Sequence, residues 1–233
     1  MRNLGHIFSR RPLALTAIVV LLAALLAALF VDRAVALWAA KFIQQDPLNY
    51  AIWSHVTELG RAEPYIAIAI ISFIWLKFAP IPQATPNRRN FWASHASLLL
   101  LSLALSGLLV NIAKPLIGRL RPRYLLSDSN YGLQPFNFSE FGMNSFPSGH
   151  SQTIWAVAIV SLIVLRALCA SRPSSNRHWQ AYASAAIVLV AALVAASRVF
   201  LNKHFVSDVL VGSLIGALTP ILLYPRWVAG KRD

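Results

Sequence analysis

The sequence predicts an all-α integral membrane protein, a bundle of six transmembrane helices with its active site at the outer membrane face. Three observations lead to this fold class. Of the 233 residues, 57% are hydrophobic and 12% are charged, whereas about 25% of the residues in soluble domains are charged. Apolar runs recur from residue 13 to residue 224 without a long polar interruption, which indicates a single membrane domain over residues 1–233. Lysine and arginine cluster between these runs, as in the loops that orient membrane proteins.

Six stretches approach the roughly 20 apolar residues that a transmembrane helix needs. They cover residues 13–31, 65–79, 96–113, 151–170, 181–200 and 208–224. The first is longer than the roughly 7–15 apolar residues of a signal peptide, so we expect a retained anchor rather than a cleaved leader. The second is short between Pro64 and Pro80. We expect it either to extend back through residues 50–62 or to be tilted.

Positive charge is divided unequally between the two sides of the predicted bundle. The richer side carries Arg2, Arg10, Arg11, Lys77, Arg88, Arg89, Arg166, Arg172, Arg177, Arg226, Lys231 and Arg232. Because such residues are enriched in cytoplasmic loops, both termini are expected inside. The loops 32–64, 114–150 and 201–207 are then expected on the periplasmic or extracytoplasmic side. The alanine- and arginine-rich composition suggests a bacterial inner membrane.

Charge and cysteine content exclude several other functions. The net charge of +13 lies in loops between apolar runs, so it does not indicate a nucleic-acid partner. The single cysteine, Cys169, excludes an internal disulfide and a cysteine-based metal site. The sequence does not indicate an oligomeric state.

The first of three polar clusters at predicted helix ends contains four cations, Lys114, Arg119, Arg121 and Arg123. Lys114 and Arg121 are seven residues apart, which is nearly two helical turns and places both on one face. Pro122 then disfavours helix at the preceding residue. Side chains that reach to the membrane interface explain Arg119 and Arg123 well. For Lys114 and Arg121, that explanation and anion binding are equally good.

The second cluster is Pro147-Ser148-Gly149-His150, directly before the apolar run 151–170. A helix N-terminus presents unpaired N–H groups to an anion, and glycine lets an oxyanion approach the backbone closely. Taken alone, Ser148 is explained equally well as a helix cap and His150 as a histidine on an apolar face.

The third cluster contains Ser197, Arg198, His204 and Asp208. A spacing of four places His204 and Asp208 on one helical face. A carboxylate bonded to one imidazole nitrogen fixes the tautomer and leaves the other nitrogen as a nucleophile. An inconsequential pair on a helix surface is the alternative.

Two histidines and an aspartate also suggest a metal site. However, Lys114, Arg121 and Arg198 would repel a divalent cation, whereas they would neutralise the oxygens of a phosphoryl group in transfer. We therefore expect a phosphate site, with no metal and no other cofactor.

Together the clusters resemble the three-part signature of the type 2 phosphatidic acid phosphatase (PAP2) superfamily. The matching motifs are Lys114-x6-Arg121-Pro122, Pro147-Ser148-Gly149-His150 and Ser197-Arg198-x5-His204-x3-Asp208. The resemblance covers residues 96–224, the expected catalytic core. It implies a membrane lipid phosphatase that acts through a phosphohistidine.

The resemblance also implies a role for each matching residue. His204 would be the nucleophile, oriented by Asp208, and His150 would protonate the leaving oxygen and then activate water. The phosphate oxygens would be held by Lys114, Arg121, Ser148, Gly149, Ser197 and Arg198. No metal would be required.

Several alternatives stay open at this point. Phosphatidic acid, phosphatidylglycerol phosphate, undecaprenyl pyrophosphate and the phosphates of lipid A would all present a suitable group, so the partner is a phospholipid or isoprenoid lipid phosphate among membrane lipids. A lipid phosphotransferase and an anion transporter are the other candidate functions, whereas six apolar spans argue against a soluble haloperoxidase. The aromatic residues of segment 123–146 either anchor it at the interface or form a lid over the lipid entrance.

Overall fold

The computed structural model describes residues 10–78, 86–128, 131–136, 138, 141–170 and 177–227. Expectations for Arg2, for the turns at 80–85 and 171–176 and for residues 228–233 lie outside these ranges. Within them the chain forms nine α-helices and no β-strand. They are α1 (Arg10–Leu26), α2 (Asp32–Gln45), α3 (Pro47–Glu58), α4 (Ala62–Phe78), α5 (Pro86–Ile117), α6 (Pro122–Asp128), α7 (Gly149–Ala170), α8 (Arg177–Phe200) and α9 (Val206–Trp227).

Six helical stretches are long and apolar enough to cross a membrane, which confirms the predicted all-α fold and its number of spans. They are Arg11–Ile43, Pro47–Phe78, Arg88–Ile117, Gly149–Ala170, His178–Phe200 and Val206–Pro225. The first joins α1 to α2 through a π-helical turn, Ala27–Val31. The second joins α3 to α4 across a short bend, so the short apolar run extends back through residues 50–62 as one of the two expectations had it.

The expectation of a loop over residues 32–64 is wrong, because residues 32–45 form α2, and α3, which one expectation for the second span allowed, follows it. Asp46 caps α3 by accepting a hydrogen bond from the Leu48 N–H at 2.8 Å, and Pro47 begins that helix. Proline suits this position because its missing N–H has no intrahelical partner there. Aromatic rings of α2 and α3 pack against Phe200 at the end of α8, the closest being Trp53 at 4.2 Å between ring centroids. The segment is therefore helical and packed rather than irregular.

Helices α7 and α9 pack at the centre of the bundle through direct backbone contact. A Cβ added at Gly212 would lie 2.4 Å from the Ser148 carbonyl oxygen, and one added at Gly216 would lie 2.1 Å from that of Gln152. Small residues four apart allow transmembrane helices to approach this closely. The contact fixes the N-terminus of α7 beside the N-terminus of α9.

The segment between α5 and α7 folds back on itself at the same end of the bundle. The Ser145 N–H donates to the Arg119 carbonyl at 2.7 Å, and the Gln134 N–H donates to the Gly118 carbonyl at 2.7 Å. Gly118 has a φ of +60°, and a Cβ there would lie 1.7 Å from the Gln134 carbonyl oxygen, so only glycine fits. These bonds hold the segment against the bundle.

Three aromatic residues of segment 123–146 differ in how far they are packed. The Tyr131 ring packs edge-on against Phe205, with 5.5 Å between centroids. Phe136 and Phe138 are 70% and 63% exposed. The segment is therefore partly packed, and its exposed rings are available to an interface or a lipid.

Candidate active site

All three polar clusters meet at one end of the bundle. The C-terminal end of α5 brings Lys114, the N-terminus of α7 brings Ser148, Gly149 and His150, and the α8–α9 connection brings His204. The Ser148 N–H donates to the Asp208 carbonyl at 3.0 Å, which joins two clusters directly. The charges of Lys114, Arg121 and Arg198 all act on His150. The nine residues that the sequence singles out thus form one site.

His204 is held in a defined tautomer. Its side chain is 3% exposed, and its Nδ1 lies 2.6 Å from the Ser145 carbonyl oxygen. A carbonyl only accepts hydrogen bonds, so Nδ1 carries the proton and Nε2 keeps its lone pair. Burial lowers the pKa of His204 to about 4, although Asp208 acts in the opposite direction. At neutral pH the imidazole is therefore uncharged, as a nucleophile must be.

Asp208 lies beside His204 without a direct hydrogen bond to it. The Asp208 Oδ2 is 3.8 Å from the His204 Nδ1, beyond hydrogen-bond distance. Its two oxygens accept from the Arg119 Nη1 and the Phe205 N–H, each at 2.8 Å. Asp208 sits in the first turn of α9, where the helix dipole favours a carboxylate. It therefore holds the turn that carries His204, and the backbone of Ser145 fixes the ring.

Ser148 caps α7, as the capping alternative proposed. Its Oγ accepts from the Ser151 N–H at 3.4 Å and from the Ser151 Oγ at 2.9 Å. Gly149 follows at the first helical position, and a Cβ added there would meet no atom within 4 Å. The open space above this helix N-terminus is where an anion would reach the free N–H groups.

His150 faces the bend between α3 and α4. A Cβ at Gly60 would lie 2.9 Å from the His150 Cβ and 3.0 Å from its Cδ2. Gly60 therefore lets this bend approach the histidine, a contact that no sequence motif indicated.

The cations of the site lie close enough together to repel one another. Arg198 is 7% exposed, and its Nη1 donates to the Thr57 Oγ1 at 2.6 Å, while its Nε is buried without a hydrogen-bond partner. Burial, followed by the charge of Arg123, lowers the pKa of Arg121. The Ser197 hydroxyl donates a hydrogen bond to the Val194 carbonyl at 2.6 Å. Such a cluster is costly to keep inside a protein, and a bound anion would relieve the repulsion.

A cavity of about 720 Å³ adjoins these residues and runs between α4, α5 and α7. Lys114, Gly149 and His150 line its polar part, together with Glu58, Arg61 and Glu63. Its apolar part is formed by residues such as Ile66, Leu103 and Leu108. The cavity therefore offers a charged end and an apolar wall to one ligand.

Arg119 departs from the sequence interpretation. We expected it to extend to the membrane interface, but it is 7% exposed and bridges Asp32 and Asp208 with hydrogen bonds of 2.8 Å each. The interpretation is wrong because two buried carboxylates hold the guanidinium inside. Asp32 lies 87 residues from Arg119 in the chain, so the sequence carried no local signal for the pairing.

No group of three or more histidine, cysteine, aspartate or glutamate side chains is close enough to hold a metal ion among the residues described. The polar groups gathered around His204 and His150 are mainly cations and N–H donors. Their chemistry suits an oxyanion with several negative oxygens.

Comparison with known proteins identifies relatives of the chain. The sequence model of the PAP2 superfamily matches residues 95–232. A lipid A 1-phosphatase of Rhizobium etli is 30% identical over 177 residues, which cover 73% of this chain and 69% of the relative. Phosphatidylglycerophosphatase B of Bacillus subtilis is 30% identical over 183 residues, covering 77% and 75%. The crystal structure of a transmembrane PAP2-type phosphatidylglycerolphosphate phosphatase from Bacillus subtilis superposes with a TM-score of 0.62 at 25% identity, covering 93% of this chain and 96% of that one.

Proposed function

The chain belongs to the PAP2 superfamily and is a membrane lipid phosphatase, and from this premise we propose that it removes phosphate from a lipid through a phosphohistidine on His204. One observation carries the proposal. The buried His204 is neutral, with its proton fixed on Nδ1 by the Ser145 carbonyl, so its Nε2 lone pair is free to attack phosphorus. Residues 96–224 supply the reacting groups and act as the catalytic core of a single domain.

In the first step, His204 Nε2 forms a bond to phosphorus as the bond to the lipid oxygen breaks. Lys114, Arg121 and Arg198 bind the equatorial oxygens and neutralise the charge that they carry in the transition state. Gly149 contributes its N–H at the start of α7, Ser148 donates its hydroxyl hydrogen from the cap position, and Ser197 lies beside Arg198 in the chain. His150 gives a proton to the leaving lipid oxygen.

In the second step, His150 accepts a proton from water as the water oxygen attacks the phosphohistidine. The bond to His204 Nε2 breaks and inorganic phosphate leaves. Asp208 stabilises the positive charge that His204 carries while it is phosphorylated. The nearby cations perform the charge neutralisation that a divalent ion provides in other phosphatases, so no metal is required.

The cavity beside the site supports a lipid substrate. A phosphate at Lys114 and His150 would place the lipid body against the apolar wall between α4 and α5. Phosphatidylglycerol phosphate and the 1-phosphate of lipid A are the first candidates, since relatives of the chain are named for acting on them. The distribution of lysine and arginine supports a periplasmic site in a bacterial inner membrane, with both termini in the cytoplasm.

Purified protein in detergent should be assayed for phosphate release from phosphatidic acid, phosphatidylglycerol phosphate, undecaprenyl pyrophosphate and lipid A. An acceptor lipid added to the same assay distinguishes hydrolysis from phosphotransfer. We expect His204→Ala to abolish turnover and the trapped phosphohistidine. We expect His150→Ala to lose about 10²–10⁴-fold, as proton-transfer groups do, and to recover partly on a substrate with a good leaving group. Equal recovery of both variants would contradict the assigned roles.

A further inference from the structure

We propose that Asp32 and Arg119 are positioning residues that hold Asp208 and the His204 turn in the reactive arrangement. This inference rests on the proposed function of His204. Asp32 lies in the first membrane span, outside the region that carries the three motifs. Neither residue lines the cavity beside Lys114 and His150, and we infer that they act through Asp208.

The two residues form a closed, buried network with the first turn of α9. Arg119 donates to Asp208 from Nη1 and to Asp32 from Nη2, each at 2.8 Å. Asp32 also accepts from the Ser207 N–H at 3.1 Å and from its hydroxyl at 2.5 Å. The Ser207 hydroxyl in turn receives Arg119 Nη1 at 2.5 Å. Asp32 and Asp208 are 1% and 0% exposed.

The bonds of the network restrain the first turn of α9, which closely follows the nucleophile. Asp32 accepts hydrogen bonds from the backbone and the side chain of Ser207, and Arg119 donates to the carboxylate of Asp208. The other Asp208 oxygen accepts from the Phe205 N–H, the peptide that follows His204. The ring of Phe205 covers the Arg119 guanidinium, with 4.2 Å from its Cζ to the ring centroid. The position of His204 is thus fixed from Asp32 through three consecutive links.

The charges of the network make this arrangement specific. Two buried carboxylates share one guanidinium, so removal of Arg119 would leave like charges without compensation. A lysine could keep the charge but could not bridge two carboxylates, because it lacks the planar fork of arginine. A π-helical turn, Ala27–Val31, directly precedes Asp32, and such turns occur frequently at functional sites. Here the Asp32 N–H donates to the Ala27 carbonyl, so the turn ends at the residue that enters the network.

The test compares Asp32→Asn with the wild-type protein. Asparagine has nearly the same shape but turns one acceptor into an N–H₂ donor facing the Arg119 and Ser207 donors. We expect kcat to fall by about 10²-fold, as a displacement of about 1 Å can cause, with KM nearly unchanged because Lys114, Arg121 and Arg198 are untouched. Asp46→Asn is the matched control, since Asp46 is exposed and asparagine caps a helix equally well.

A second measurement does not depend on activity. In protein labelled with ¹⁵N-histidine, the His204 signal is assigned by its loss in His204→Gln. We expect the wild-type ring to show one neutral tautomer with the proton on Nδ1, and Asp32→Asn to show a mixture. This spectrum decides the inference even if the wild-type protein hydrolyses none of the four lipids, an outcome that would count against the proposed function alone.

A second substitution and a double-mutant cycle keep the inference testable if Asp32→Asn fails to fold. Arg119→Lys should fold, lower kcat and mix the tautomers, with Arg123→Lys as its control because Arg123 is exposed. The double variant Asp32→Asn/Arg119→Lys should be no slower than Arg119→Lys alone, because the residues act as one unit. Folded variants with wild-type kcat and a single Nδ1-protonated tautomer would overturn the inference, and so would additive losses in the double variant.

Discussion

Substitution of Gly212 by alanine should impair the enzyme without touching a reacting group. The new Cβ would lie 2.4 Å from the Ser148 carbonyl oxygen, whereas carbon and oxygen approach no closer than about 3.3 Å. Helices α7 and α9 must therefore separate by about 0.9 Å at this level. That movement draws Ser148 and His150 away from His204, so we expect a loss of about 10²-fold in kcat/KM. The strain should also destabilise the fold by about 1–3 kcal/mol.

The assay is phosphate release from a lipid phosphate in detergent micelles, with thermal unfolding followed in the same detergent. Gly142→Ala is the matched control, because a Cβ at Gly142 would meet no atom within 4 Å. A Gly212→Ala protein with wild-type kcat/KM and an unchanged unfolding temperature would refute the reasoning, since it would mean that the two helices accept a methyl group without moving.

Three further outcomes are expected. Because burial lowers the pKa of His204 to about 4, the folded protein binds fewer protons than the unfolded chain as pH falls from 6.5, so acid works against the fold in that range. The His204 imidazole should stay neutral at pH 6 in a ¹⁵N NMR titration, and a midpoint near 6.5 would contradict its burial. Activity should be complete in a metal chelator; a loss that added magnesium or zinc restores would argue against the cationic site. In a Cys169→Ala background, a membrane-impermeant thiol reagent should label Arg123→Cys but not His178→Cys in intact cells, and the opposite pattern would reverse the predicted orientation.

The helices and the residues of the site could be predicted because their signals are local. Each span is a run of apolar residues long enough to cross the membrane. His204 and Asp208 stand four residues apart, and Ser148 directly precedes a helix. Regular periodicity and fixed spacing in the chain express these features, whereas the roles of the clustered residues rest on the resemblance to the PAP2 signature and stay a proposal.

The supporting contacts could not be predicted because they join distant parts of the chain. Arg119 meets Asp32 across 87 residues, and Arg198 meets Thr57 across 141. The partner of His204 is the backbone carbonyl of Ser145, a group that every residue possesses and that no sequence pattern marks. Helix α2 was missed for a different reason, and α3 was anticipated only as one of two alternatives for the second span. The polar residues of this part of the chain are typical of a loop. Packing against Phe200 explains why it is helical.

The α7–α9 pair and the α3–α4 bend border the active site and are held in different ways. Residues that set the reaction and residues that select the lipid therefore lie on different elements. Helices α7 and α9 are in direct backbone contact, whereas Arg61 in the bend between α3 and α4 and Glu63 and Ile66 at the start of α4 reach the cavity through their side chains. Exchanges at these three positions would change the shape of the cavity, while the backbone contact that joins Ser148 to Asp208 stays in place. A library confined to these three positions is therefore the direct route to variants that accept a different lipid.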